Sequence, residues 1–219
     1  MRCAIIIHIA STSLGWKEHH WSRCREQIRR KQDKLDTTKP TTMLKTHIIA
    51  IETGNEPHAI RAAAEWWGAS VTVTWVGNSG QIVDYLSSGS DHELIIISGH
   101  GDERGLLLPE LAAEVAGLYP YNKVIQPADF GRFLQLRGNT VISLACLGGM
   151  PQLADAFLAG GARYYIGPID YPDGSATLMY VLDFLYNYIC HSHDVMAAHH
   201  IASRHEDDRQ QFKLYTMPQ

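Results

Sequence analysis

Glu93-Leu-Ile-Ile-Ile-Ser-Gly-His-Gly-Asp102 decides the fold. Its apolar stretch, Leu94 to Ile97, is continuous rather than alternating. A strand reads this way when both faces of a parallel sheet are covered. It then stops abruptly in Ser-Gly-His-Gly. Asn139-Thr-Val-Ile-Ser-Leu-Ala-Cys-Leu-Gly-Gly149 repeats the arrangement, an apolar run followed by Cys146 and two glycines. Ligands of open parallel sheets bind beyond the carboxyl ends of the strands, so a site is expected where these two runs end.

Strand and helix signals alternate on either side of this pair. His47–Ile51, Val71–Val76 and Arg163–Ile166 read as further strands. Pro57–Trp67, Gln81–Leu86, Pro127–Leu136, Leu153–Leu158 and Ser175–Cys190 read as helices, with Pro57 suited to a first turn and Gly160-Gly161 to a stop. The pattern predicts an α/β fold, a mainly parallel sheet sandwiched by helices in three layers. Leu106-Leu-Leu-Pro109 predicts a hairpin or edge strand over the site. From about residue 191 the chain reads as a polar, peripheral C-terminal tail.

The chain has 219 residues, 45% of them hydrophobic and 19% charged, enough apolar material for a full core and too much for a disordered chain. No apolar run reaches the roughly 18 residues of a membrane span. The net charge of −4 argues against a nucleic-acid-binding domain. Charge is uneven: residues 1–42 hold nine Lys/Arg against four Asp/Glu. That imbalance predicts a basic, peripheral N-terminal extension on a folded domain spanning 43–219, with Thr37–Thr42 as linker. Cys3-Ala-Ile-Ile-Ile-His-Ile-Ala10 has the length of a signal-peptide core, but His8 interrupts it and no clean small-x-small cleavage site follows.

Cys3, Cys24, Cys146 and Cys190 are widely spaced, with no CxxC pair, so reduced thiols in a cytoplasmic protein are expected. His191, His193, His199, His200 and His205 fit no zinc spacing, and no phosphate-binding glycine loop is present. Neither a metal nor a cofactor is expected.

Cys146 and His100 carry the chemistry. A thiol between a strand end and a following helix is expected to have a lowered pKa from the helix N-terminus, and Gly148 and Gly149 are expected to leave room for substrate. Imidazole titrates near neutrality and serves as general base and acid. The N–H groups of Gly101 and Cys146 are the expected oxyanion donors. The reaction class is acyl transfer through a thioester. By itself a strand-end Cys is more often a small hydrophobe, and a lone His a cap. Here each ends its own apolar strand.

Ile95-Ile-Ile-Ser-Gly-His-Gly101 and Val141-Ile-Ser-Leu-Ala-Cys-Leu-Gly148 together resemble the His-Gly and Ala-Cys motifs of the clan CD cysteine peptidases: caspases, gingipains, separase and the caspase-like CHAT domains of bacteria. Gly161–Pro168 resembles the next family strand and Asp173–Tyr180 the start of the helix after it, so the resemblance covers residues 46–190. It implies a caspase-like fold and an endopeptidase with His100 and Cys146 as its catalytic dyad. Its substrate would be a polypeptide, and a homodimer or activating partner stays open. The caspase signature Gln-Ala-Cys-Arg-Gly is absent, because Leu144 and Leu147 flank Ala145-Cys146. Asp170 and Asp173 are candidates for pairing a basic P1 side chain, with Asp173 also a natural helix cap.

Two other readings compete. One is a catalytically silent adaptor or signalling module on the same fold. The other is a thiol hydrolase of α/β-hydrolase type, since Ala-Cys-Leu-Gly-Gly distantly resembles a nucleophile elbow; that fold requires its histidine after the nucleophile.

Overall fold

The computed structural model describes residues 43–217. The extension expected over residues 1–42 lies outside the described residues. The chain runs β1 (Lys45–Ile51), α1 (Glu56–Trp66), β2 (Ser70–Val76), α2 (Ser79–Ser87) and β3 (Leu94–Ser98). Three short strands follow, β4 (Gly101–Asp102), β5 (Gly105–Leu107) and β6 (Val124–Ile125), with α3 (Ala113–Ala116) before β6. Then come α4 (Pro127–Phe130), β7 (Thr140–Ser143), α5 (Pro151–Ala159), β8 (Tyr164–Pro168), α6 (Gly174–Leu185), α7 (Val195–Ser203) and β9 (Phe212–Thr216).

Six strands form one sheet in the order β2-β1-β3-β7-β8-β9. All neighbours are parallel except β8 and β9. The apolar runs explain the layering. Ile49, Ile51, Ile95, Ile97 and Val141 face one way, against α2, α4 and α5. Ile48, Leu94, Ile96 and Ile142 face the other way, against α1, α6 and α7. Both sides of the sheet are dry, so the strand sequences do not alternate. This is the expected three-layer α/β fold. The predicted hairpin exists: β4, β5 and β6 form a small antiparallel sheet.

Three expectations need correction. The helix expected over Pro127–Leu136 is helical only to Phe130. Beyond it, tight i to i−3 bonds (Arg132 to Asp129, Phe133 to Phe130) wind the chain so that Phe130, Phe133, Leu134 and Leu136 are all buried. The helix expected over Ser175–Cys190 is α-helical from Gly174 to Leu185 and closes in a π turn, Tyr186–Cys190. The stretch after 191 is not a polar tail. Asp194 caps α7 by accepting from the Ala197 N–H at 2.8 Å, and α7 buries Val195, Ala198 and Ala202. Phe212-Lys-Leu-Tyr-Thr216 then closes the sheet as its last strand, with Phe212 stacked on Tyr180 at 3.8 Å.

Candidate active site

Strand register places both key residues. Ile97 of β3 opposes Ser143 of β7, and the Leu144 N–H donates to the Ile97 carbonyl at 2.8 Å. His100 and Cys146 each lie three residues beyond that opposed pair, at the same edge of the sheet. The Leu107 N–H donates to the His100 carbonyl at 3.0 Å, so the β4–β5 hairpin holds the histidine loop. His100 is exposed and Cys146 half-buried. Gly101 packs so closely on the Cys146 carbonyl that a Cβ there would overlap it.

His100 and Cys146 line one cavity of about 260 Å³ with Thr53, Glu56, Ser98, Leu144, Pro172 and Leu178. The cavity sits where the strand order reverses, between β1 and β3, which is the position expected of a ligand site in such sheets. A larger cavity of about 380 Å³, lined by Arg137, Asn139 and Arg163, lies at the opposite, amino ends of the strands. Size favours the second and chemistry the first, because the first alone holds the thiol and the imidazole.

Thr53 and Glu56 were not legible as site residues. The Thr53 hydroxyl donates to a Glu56 carboxylate oxygen at 3.2 Å and lies 3.2 Å from the Ser98 hydroxyl. The available signal was topological: β1 ends at the same edge as β3, and Glu56 opens the helix that follows it.

The turn after Cys146 differs from expectation. Helix α5 begins only at Pro151, five residues after Cys146. Instead of being lowered, the Cys146 thiol is pushed up by burial and further by the negative charge of Asp170, while its own backbone N–H pulls the other way. Gly148 and Gly149 leave room for neighbouring protein atoms, not for substrate. A Cβ on Gly148 would overlap the Ser143 hydroxyl, and one on Gly149 the Gly167 carbonyl. The N–H groups of Leu147, Gly148, Gly149 and Met150 donate to the carbonyls of Asp170, Ala145, Pro168 and Leu147. Gly101, the other expected donor, begins β4.

The two aspartates separate. Asp173 caps α6, accepting from the N–H groups of Ser175 at 2.8 Å and Ala176 at 3.4 Å. Asp170 is exposed and near enough to Cys146 to act on its thiol. Beside it, the Tyr171 hydroxyl donates to Glu103 of the histidine hairpin at 2.7 Å. Among the described residues, no group of three or more His, Cys, Asp or Glu side chains could hold a metal ion. His199 instead pairs with the Tyr180 hydroxyl at 2.8 Å, and His205 with Asp183 at 3.3 Å. Among the described residues no helix is long and apolar enough to cross a membrane.

No family model matches the chain, and no curated relative does. Solved structures do. The Arg-specific cysteine proteinase gingipain R of Porphyromonas gingivalis is similar with a TM-score of 0.53 and 12% identity, over 80% of this chain and 46% of that one. A structure described only as a protease is similar with a TM-score of 0.56 and 9% identity, over 82% and 48%. The separase–securin complex of Saccharomyces cerevisiae is similar with a TM-score of 0.51 and 10% identity, over 88% and 13%. The chain thus spans about half the length, or less, of the structures it matches. At these identities the likeness is one of fold, and the fold is the caspase-like one of the clan CD cysteine proteases.

Proposed function

We propose that this chain is a cysteine endopeptidase acting through His100 and Cys146. One observation carries the reading: the register of β3 and β7 brings an imidazole and a thiol onto the wall of one open cavity at the switch point of the sheet. Because burial holds the thiol neutral, the mechanism is one of general-base attack rather than of a resting thiolate. His100 takes the Sγ proton as sulfur bonds to the scissile carbonyl carbon. The Cys146 and Gly101 N–H groups receive the oxyanion. Collapse breaks the C–N bond, and His100 returns the proton to the departing amine. Water, deprotonated by His100, then attacks the thioester carbon; the C–S bond breaks and His100 returns the proton to the Cys146 sulfur.

The adjoining cavity takes the P1 side chain, and Glu56 gives it a carboxylate suited to Arg or Lys. This moves the acidic determinant away from Asp173, which is engaged as a cap. The Arg specificity of gingipain R agrees with such a pocket without requiring it. A catalytically silent module is the second reading, favoured by the raised thiol pKa.

The test is labelling with peptidyl acyloxymethyl ketones bearing P1 Arg, Lys, Asp and Leu, for wild type beside Cys146→Ala and His100→Ala. His100-dependent modification of Cys146, together with turnover of the matching peptides, is expected. Failure of every probe to label a folded wild-type chain favours the silent module.

A further inference from the structure

Two tyrosines on adjacent strands grip consecutive carbonyls just behind the cysteine. Tyr165 of β8 and Tyr215 of β9 oppose each other in the antiparallel register. The Tyr165 hydroxyl donates to the Gly148 carbonyl at 2.6 Å, and the Tyr215 hydroxyl to the Gly149 carbonyl, also at 2.6 Å. Tyr165 is fully buried and stacked on Phe157 at 4.7 Å. Tyr215 comes from β9, the last strand among the described residues.

The turn they hold contains a residue in a costly conformation. Leu147, next to Cys146, has φ +55°, in the left-handed region that costs a non-glycine residue about 1 kcal/mol or more. Such a conformation persists only where its surroundings over-determine it. The backbone supplies four bonds from the N–H groups of Leu147 to Met150. The tyrosine hydroxyls supply side-chain bonds to the Gly148 and Gly149 carbonyls, and both come from strands rather than from the turn itself.

We propose that Tyr165 and Tyr215 are positioning residues for Cys146. By fixing the Gly148 and Gly149 carbonyls they hold Leu147 left-handed, and so aim the Cys146 sulfur and N–H at the cavity shared with His100. The effect on turnover rests on the peptidase reading above; the effect on the thiol does not. The edge strand β9 thereby becomes part of the active-site scaffold, although no residue of it lines the cavity.

Tyr165→Phe and Tyr215→Phe remove only the hydroxyls and leave the rings to pack. In the full chain, site-resolved alkylation of Cys146 by iodoacetamide is followed from about pH 6 to about pH 10. Steady-state hydrolysis of a P1-Arg peptide is measured in parallel. Each variant is expected to lower kcat on the order of tenfold, with KM changed less than about twofold. The alkylation midpoint is expected to move up, because a relaxed turn withdraws the Cys146 N–H from its own sulfur. Variants that are merely less heat-stable, with wild-type kcat and alkylation profile, overturn the proposal. Should Tyr165→Phe fail to fold, Tyr215→Phe decides, being half-buried at the sheet edge. A wild type that alkylates at Cys146 but cleaves no peptide removes the peptidase reading alone, and the alkylation profiles still decide the role of the tyrosines.

Discussion

The carbonyl oxygen of Cys146 occupies the space in which a side chain at Gly101 would begin. Gly101 is thus required by contact between the histidine and cysteine loops, independently of any use of its N–H. The obstacle is backbone, which cannot swing aside as a flexible side chain would. Gly101→Ala is expected to push the loops apart, costing about 1 to 3 kcal/mol and lowering Tm by about 2 to 4 °C per kcal/mol. Cys146 labelling by a peptidyl probe should fall with it. Thermal denaturation and labelling at wild-type values would show that this contact does not hold the two loops together.

Asp170 is the removable cause of the raised Cys146 pKa, burial being the larger one. Neutralising it in Asp170→Asn brings the thiol pKa down. More thiolate is then present at any pH below the wild-type pKa, so alkylation near pH 8 should speed up, by a few-fold at most because Asp170 is exposed to solvent. The rate at high pH, where both proteins are ionised, should hardly change. A slower or equal rate near pH 8 contradicts the assignment.

Glu56 should govern the charge preference at P1. Glu56→Gln keeps an acceptor for the Thr53 hydroxyl but removes the charge. Hydrolysis of P1-Arg and P1-Lys peptides is expected to lose about tenfold in kcat/KM, while P1-Leu peptides lose little. Parallel losses for all three classes would show that Glu56 is not a specificity group.

His47 makes the fold acid-sensitive. It is buried on β1, its Nε2 2.9 Å from the hydroxyl of Thr74 on β2, and burial, then the nearby His92, lower its pKa to about 4. Unfolded, it titrates near 6.5, so below that pH the unfolded chain binds the extra proton. The stabilisation is therefore complete above about pH 6.5 and is lost as pH falls towards about 4, on the order of 3 kcal/mol. His199 is shifted to about 4 for the same leading reason and adds to the slope. His47→Gln should flatten part of the fall in urea-unfolding free energy across that window. An unchanged slope would mean that His47 does not drive it.

Asp173 is expected to matter for stability rather than for chemistry. Asp173→Ala removes the cap of α6 and should cost about 1 kcal/mol. Urea denaturation checks this, and the rate of Cys146 alkylation should stay at the wild-type value.

Much was legible because it is local. Continuous apolar runs at Leu94–Ile97 and Val141–Ile142 mark strands covered on both sides whatever their neighbours are. Parallel direction follows from the intervening helices, and the ends of those strands had to carry His100 and Cys146. Asp173 as a cap was readable for the same reason, since capping needs only the next three residues. Phe212-Lys-Leu-Tyr-Thr216 carried an alternating signal, but it lay in a polar stretch too short to outweigh its flanks.

Tertiary structure decided what depends on which strands become neighbours. Glu56 and Thr53 join the cavity because β1 pairs with β3, a choice made across more than forty residues. The thiol pKa rises because packing buries it and brings Asp170 near, and neither can be read from Ala145-Cys146 alone. Tyr165 reaches the turn behind Cys146 only once β8 pairs with β7, and Tyr215 only once β9 folds back along β8. Hydrophobic period and capping act over one or two turns of chain, whereas register, burial and electrostatic coupling exist only after the sheet has closed.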